Sequence, residues 1–359
     1  MQLGDGPAER STTIVVDIGG VGELHFLNAQ KASFYPPKDR MSVSRPLLAL
    51  LIAAAILGSM SGYAWLVAST GAAPAAARRT SDRKLLVVCS TTQVADLARQ
   101  VAGDRCEVRS VLAPGQDPHL YEIKTGDAQL VASADLCLEN GWHLEGNDWM
   151  RHLARQAGRP LVTCIEGVEP LHTAEEENAA AGHDPHAWLS APNAKIYVRN
   201  IVRALSEQDP EYADEYQARG DLFVTQLDAL DAWVRTQVAR VPAEQRVLVT
   251  SHDAFHYFCR EYGFRAAAPA GWSTGEEIGA GATPERRRAV VDSIRQFGVK
   301  SIFVETSVNP KAVRAIAEDA GVRIGGTLYS DSMGPPGSAG ETYVGMLREN
   351  VLTIVEALR

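Results

Sequence analysis

Cysteines and basic side chains are both in short supply, and each shortage closes off a class of protein. Five Cys occur in 359 residues, at Cys89, Cys106, Cys137, Cys164 and Cys259, with no C-x-x-C among them. A disulfide scaffold and a zinc ribbon are therefore excluded. Acidic groups outnumber basic ones, 44 against 35, for a formal net charge of −9. A nucleic-acid backbone is not an expected partner, because neutralising phosphates needs a basic surface. Only one long apolar run exists, which excludes a multi-span membrane protein. The H-E-x-x-H and H-x-x-E-H patterns of zinc hydrolases are also missing. What remains, 45% hydrophobic and 22% charged residues, is ordinary globular usage, and the length fits about two domains.

The apolar run is Leu47–Val67, with Arg40 and Arg45 before it and Gly58, Ser59, Ser61 and Gly62 within it. A basic flank, a short apolar core and a small-residue tail make a secretory signal, and Gly71–Ala77 supplies residues a signal peptidase accepts. The run is also long enough to span a bilayer once, with Tyr63 and Trp65 at one interface. Cleaved signal and retained anchor both stay open, and membrane association through this segment is one expectation. No Cys follows the run closely, so a lipid-modified cysteine is not expected. Residues 1–40 read as an extension outside the working protein, since Met41–Arg45 forms a good basic start for the signal. The body is expected outside the cytoplasmic membrane, in the periplasm or tethered to the membrane's outer face. Free or paired Cys are both compatible with that setting.

From Lys84 the pattern alternates short apolar runs with amphipathic stretches. Strands are expected at 84–90, 107–112, 136–140, 161–165, 247–251, 301–305 and 323–329. Helices are expected at 92–102, 126–132, 284–297, 310–320 and 341–358. Strand–helix alternation implies parallel sheets with covered faces, the α/β class. One segment breaks the rhythm. Leu222, Phe223, Leu227, Leu230, Trp233, Val234 and Val238 recur at helical spacing between Pro210 and Pro242. The expected organisation is a signal or anchor with linker (41–83), an α/β lobe (84–209), one long connecting helix (210–241) and a second α/β lobe (242–359).

The chemistry concentrates in a short repeat. Gly115–His119 and Gly182–His186 both read G-x-D-P-H. Two copies with glycine at the same offset are hard to ascribe to chance. Proline fixes φ and pushes the preceding Asp into extended backbone, so the loop is stiff. A nearby carboxylate can then orient the imidazole by accepting its spare N–H. His119 and His186 are thus candidate metal ligands. His252 closes a strand in Val247–Phe258, at the end where α/β sheets place ligand groups. His256, on the helix that follows, reads as pointing elsewhere. Asp331, in Thr327–Gly334, also follows a strand, although a lone Asp there is most often a cap.

GQDPHLYE, DPHAWL, SHDAFHYF and LYSDSMG, in that order, resemble the zinc/manganese-type solute-binding proteins of ABC transporters, the ZnuA/TroA-like receptors. The resemblance covers the chain from about Lys84 to Arg359. It implies two α/β lobes joined by a long rigid helix, with a divalent ion between them. It implies His119 and His186 as ligands from the first lobe, and His252 and Asp331 from the second. Some relatives have Glu where this chain has His252, so the implied set is three His and one Asp. Such a set suits Zn2+ in a tetrahedral site, or Mn2+ if Asp331 chelates with both oxygens. The implied partners are an ABC permease and its ATPase, and the receptor is expected to be a monomer without catalytic residues. A long connecting helix also resists wide hinge opening, so local loop movement is expected. Zinc-specific relatives often carry a long His-rich acidic loop; here only His172 and His183 flank Glu175–Glu177. That stretch reads as a solvated acidic loop.

Three other readings are weighed. A metal-dependent hydrolase would need an open coordination position and a base, for which Glu122 and Glu305 are conceivable. A surface adhesion protein could use the same metal-binding fold, but no added repeats or domains support it. An organic-solute binder would line its pocket with aromatics such as Trp142, Trp188 and Trp272, each of which also fits a core or lobe-surface role. Mapping N-terminal peptides of the protein from its own host tests the Met41 start. The first peptide is expected at or beyond Met41, and one from within residues 1–40 refutes it.

Overall fold

Short apolar strands that are buried on both faces need helices on both sides, and the chain supplies them in alternation. The computed structural model describes residues 83–171, 183–267, 283–307 and 310–359. The start site, the apolar run and most of the His172–His183 loop lie outside these residues. Among the described residues no helix is long and apolar enough to cross a membrane; the apolar run that carries the transmembrane expectation is not among them.

The first lobe has strands β1 (Leu85–Cys89), β2 (Cys106–Ser110), β3 (Leu136–Glu139) and β4 (Leu161–Thr163), all parallel in the order β2-β1-β3-β4. Helices α1 (Thr92–Ala102), α2 (Thr125–Ser133) and α3 (Trp149–Gln156) connect them. Thr91 starts α1 by accepting from the Val94 amide, which satisfies one of the orphan donors of the first turn. After β4 comes α4 (Ala191–Gln208), capped by Ser190 with a proline in its first turn. The long helix is α5 (Ala213–Val238), preceded by a single 3-10 turn at Pro210–Tyr212.

The second lobe holds β5 (Val247–Val249), β6 (Arg265–Ala267), β7 (Ser301–Glu305) and β8 (Arg323–Leu328). β5 pairs with β6, and β7 with β8, each in parallel. A bridge between Thr250 and Phe303 joins the two pairs, giving the order β6-β5-β7-β8. Helices α6 (His256–Tyr262), α7 (Pro284–Phe297), α8 (Pro310–Ala320) and α9 (Tyr343–Leu358) complete it. The architecture is the expected one, two parallel-sheet α/β lobes with one long helix between their sheets.

Seven residues of α5 are buried: Tyr216, Gly220, Phe223, Leu227, Leu230, Val234 and Val238. They fall three or four apart, on one stripe. Leu222, expected on that stripe, is 61% exposed, because it is turned about 100° from Phe223 on a 3.6-residue helix. The stripe packs on α1 and α4 on one side and on α6 and α9 on the other. The C-terminal helix also reaches across: the Tyr343 amide donates to Asp96 on α1 at 2.8 Å, and the Tyr343 hydroxyl donates to the Trp188 carbonyl at 2.6 Å. One hydrophobic core therefore runs from β1 and β3 through α5 to α9. All five cysteines are buried free thiols.

The loop after β3 is the most contorted part of the described chain. Trp142, His143, Asn147 and Asp148 all have positive φ, a region that costs most side chains energy. Its conformation is held by the buried Glu145 carboxylate, which accepts from the Ser90 hydroxyl (2.5 Å) and from the amides of Asn140 (2.7 Å) and Gly141 (3.1 Å). This brings Gly146 against the loop that carries His119. The Gly146 amide and the Trp149 indole both donate to the Pro118 carbonyl, at 3.3 and 3.1 Å. A Cβ on Gly146 would lie 1.9 Å from the His119 carbonyl oxygen. Gly146→Ala is therefore expected to destabilise the protein by about 1–3 kcal/mol through overpacking. Urea denaturation reads this, and an unchanged midpoint would show that the two loops are free to separate.

Candidate metal centre

In an open α/β sheet, the carboxyl ends of the strands on either side of the order reversal leave a crevice for ligands. The second lobe reverses between β5 and β7. His252 lies just past the end of β5, and Glu305 is the last residue of β7. Asp331 follows β8 in the same lobe. His119 comes from the loop after β2, and His186 from the segment between β4 and α4.

These groups converge. His119, His186, His252 and Asp331 each place one ligand atom within 4.8 Å of the others. Nε2 of His186 is 3.2 Å from Nε2 of His119 and 3.2 Å from Nε2 of His252. Oδ1 of Asp331 is 3.3 Å from Nε2 of His186 and 3.9 Å from Nε2 of His119. His186, His252 and Asp331 are buried, and His119 is the one partly exposed member. The Asp331 Oδ1 atom is buried and receives no hydrogen bond, while Oδ2 accepts from the Ser307 hydroxyl at 3.2 Å.

Carboxylates behind two of the imidazoles set their orientation. The Nδ1 atoms of His186 and His252 lie 2.7 Å from Asp184 Oδ1 and from Glu305 Oε2. With Nδ1–H donating outward, both rings turn an Nε2 lone pair toward the centre. The same two carboxylates accept the backbone amides of His186 and His252, each at 2.9 Å. In the first copy of the repeat, Asp117 accepts backbone amides, that of His119 at 2.8 Å and that of Leu120. Identical motifs thus do different jobs: Asp184 holds a ring, whereas Asp117 holds a turn.

Electrostatics follow this layout. Burial disfavours charge on His186, yet Asp184 and Asp331 outweigh it and raise its pKa to about 10. For His252, Asp331 and Glu305 likewise overcome burial and raise it to about 9. His119 has no such support. Burial, with the neighbouring His186 and His252, pulls it down to about 3 against the attraction of Asp331. Burial opposes ionisation of Asp331 as well, but the three histidines hold its carboxyl well below the usual carboxylate range.

The Asp331 segment is fastened from the first lobe. The Ser330 carbonyl accepts from the Gln93 amide group at 2.9 Å and from the Trp188 indole at 3.2 Å. The Met333 amide donates to the Thr92 hydroxyl at 3.0 Å, and the Gly115 amide to the Ser332 hydroxyl at 2.6 Å.

All four candidates read from the sequence come together here. Glu305, considered above as a base, is instead the brace of His252, and Glu122 is exposed. His256 does not point elsewhere: its Nδ1 is 3.4 Å from Asp184 Oδ2. Trp188 is a buried brace beside the His186 ring, while Trp142 stacks edge-on against His183. Trp272 lies outside the described residues. Sequence reasoning missed Glu145, Gln93 and Gly146. Their only trace is the cluster of polar and glycine residues at strand ends.

Comparison with known proteins agrees with this fold. The family model described as "Zinc-uptake complex component A periplasmic" matches residues 87–357. The manganese-binding lipoprotein MntA of Bacillus subtilis is 37% identical over 299 residues, covering 81% of this chain and 95% of that protein. The manganese ABC transporter substrate-binding lipoprotein PsaA of Streptococcus anginosus is 34% identical, covering 78% and 91%. Among solved structures, the periplasmic zinc-binding protein TroA of Treponema pallidum superposes with a TM-score of 0.69 at 35% identity, over 77% of this chain and 99% of that one. A manganese-bound periplasmic metal-binding protein from Candidatus Liberibacter asiaticus gives 0.66 at 28% identity, over 77% and 100%. The chain is an exported receptor rather than an enzyme, periplasmic or tethered to the outer face of the cytoplasmic membrane. It belongs to the periplasmic zinc-uptake component A family, the metal-binding solute receptors of ABC importers.

Proposed function

We propose that this protein captures a divalent transition metal, zinc or manganese, through His119, His186, His252 and Asp331, and passes it to an ABC permease driven by its ATPase. The observation that carries the reading is the close convergence of three imidazole nitrogens and one carboxylate oxygen, drawn from four separate loops. A tetrahedron of donors about 2.0–2.1 Å from zinc has edges of about 3.3 Å. Three of the observed edges are 3.2, 3.2 and 3.3 Å. The Ser307 hydroxyl on Asp331 Oδ2 supports coordination through Oδ1 alone, and so four ligands.

Cargo is a separate matter from affinity. Zinc is expected to bind more tightly than manganese at any such site, while two of the relatives above are named for manganese. The reading therefore includes zinc preference in the purified protein together with a cargo fixed by supply and by the permease. Metal content of protein from its own host, with uptake of each metal in a deletion strain, decides which ion is carried. The same reading takes the chain as two ligand-bearing halves, 84–209 and 242–359, on either side of the helix at 210–241, acting as a monomer.

Free metal at about 100–1,000 times the dissociation constant is expected to stabilise the fold by about 3–4 kcal/mol. His119→Ala or His252→Ala should remove most of that gain, and calorimetric melting with and without Zn2+ measures it. Undiminished stabilisation in both variants would refute the ligand set.

Protons compete with the metal, since only unprotonated imidazole ligates. His186 and His252, raised to about 10 and about 9, carry protons at neutral pH in the metal-free form. Binding at pH 7 is then expected to release at least one proton per ion, and affinity to tighten as pH rises toward about 9. Titration calorimetry in buffers of different ionisation enthalpy reads the release; heats that do not depend on the buffer contradict it.

A further inference from the structure

Asp184 has two oxygens and spends only one on the metal ligand. Oδ1 accepts from His186 Nδ1 at 2.7 Å and from the His186 amide at 2.9 Å. Oδ2 is buried and has no conventional hydrogen bond, and the same is true of His256 Nδ1. The Asp253 carboxylate also acts on His256, and the two buried atoms face each other in a 3.4 Å contact. Without it both would be desolvated polar atoms left unpaired, which proteins rarely tolerate.

The two residues come from different parts of the chain. His256 is the first residue of α6, directly after the loop of His252, whereas Asp184 belongs to the segment that delivers His186. Its neighbour on α6 grips the same segment. The Tyr257 hydroxyl accepts the Leu171 amide at 3.0 Å, and the Leu171 carbonyl accepts the Asp184 amide at 3.1 Å. Two successive side chains of one helix thus bear on Asp184, His256 at its carboxylate and Tyr257 indirectly, through Leu171.

We propose that His256 is a positioning residue of the metal site, holding Asp184 from the side opposite His186 so that the His186 ring stays aimed at the ion. A carboxylate free to rotate would present either oxygen to His186, or share a water instead. Pinned by His256, it keeps one oxygen on Nδ1, which fixes the ring and makes Nε2 a better donor to metal. His256 does not touch the ion. It also couples the loops of His186 and His252, the two most buried imidazoles of the centre.

This inference rests on the metal-site reading above, and one set of titrations separates the two. Wild type, His186→Ala, His256→Ala and His256→Asn are titrated with Zn2+ against a chromophoric chelator. Their Co2+ complexes are compared by visible absorption, and the melting of each metal-free form is recorded. His256→Ala is expected to weaken Zn2+ binding by roughly 10–100-fold and to alter the Co2+ bands. His256→Asn, whose amide N–H can donate from nearly the same position, is expected to recover most of both. Wild-type affinity and spectrum in His256→Ala overturn the proposal while leaving the metal site intact. Equal weakening in His256→Asn and His256→Ala also overturns it, since packing alone would then explain the loss. Failure of the wild type to bind, or full binding by His186→Ala, overturns the metal site itself.

Discussion

Asp331 is the charge around which the centre is arranged. Its carboxylate is fully buried and one oxygen receives no hydrogen bond. An ionised group in that position is costly unless an opposite charge lies beside it. The groups that face it are imidazoles, two of which are turned lone pair inward by carboxylates behind them. Three nitrogens and an oxygen then crowd together within 4.8 Å of one another with few protons to share. Only cations relieve such a cluster: protons on His186 and His252, or one divalent ion among all four. Charge in the outer ring follows the same logic, because Asp184 and Glu305 make their histidines more basic and so better donors to either.

Desolvating a carboxylate also requires that the backbone around it be fixed, and the fixing comes from across the molecule. Ser330, Ser332 and Met333 flank Asp331 and are bonded to Gln93, Trp188, Gly115 and Thr92 of the first lobe. The helix α9, which closes the second lobe in sequence, is capped onto α1 through Asp96 and Tyr343. A hinge that separated the lobes widely would break all of these buried hydrogen bonds together, each at a cost of about 1–3 kcal/mol while unsatisfied. Motions confined to loops avoid that cost. The long helix contributes in the same sense, since its single apolar stripe is shared by α1, α4, α6 and α9.

The sheets, the helices flanking them and the long α5 could be read from apolar periodicity because burial imposes it strand by strand. Thr92–Ala102, Pro284–Phe297, Pro310–Ala320 and Ser301–Glu305 begin and end where that pattern does. The 18-residue α4 was not among the expected helices, and shorter pieces escaped as well. β6 has only three residues, too few to show a period, and α3 follows a loop in which four non-glycine residues have positive φ. The three candidate histidines were legible because proline or a strand end constrains them in ways that leave a motif, whereas Asp331 joined them only through the family resemblance. Their supports were not. Glu305 and His252 are 53 residues apart, and Gln93 and Ser330 are 237 apart. A single Glu or Gln at a strand end looks the same whether it caps a turn or braces a ligand, so only the fold distinguishes them.

The repeated G-x-D-P-H shows how far a motif carries chemistry by itself. Both copies bend the chain alike, with the Asp side chain accepting the amide two residues on. Only the second copy sets its Asp against the imidazole. The difference lies outside the motif. Asp184 is gripped by α6, whereas the His119 loop is held through its backbone by Gly146 and Trp149. One histidine is therefore braced at its ring and fully buried, and the other is fixed at its main chain with its ring partly open to solvent. A site built in this way has a stiff inner side and a softer outer one. Of the three imidazoles gathered around the buried carboxylate, His119 is therefore the one that solvent reaches.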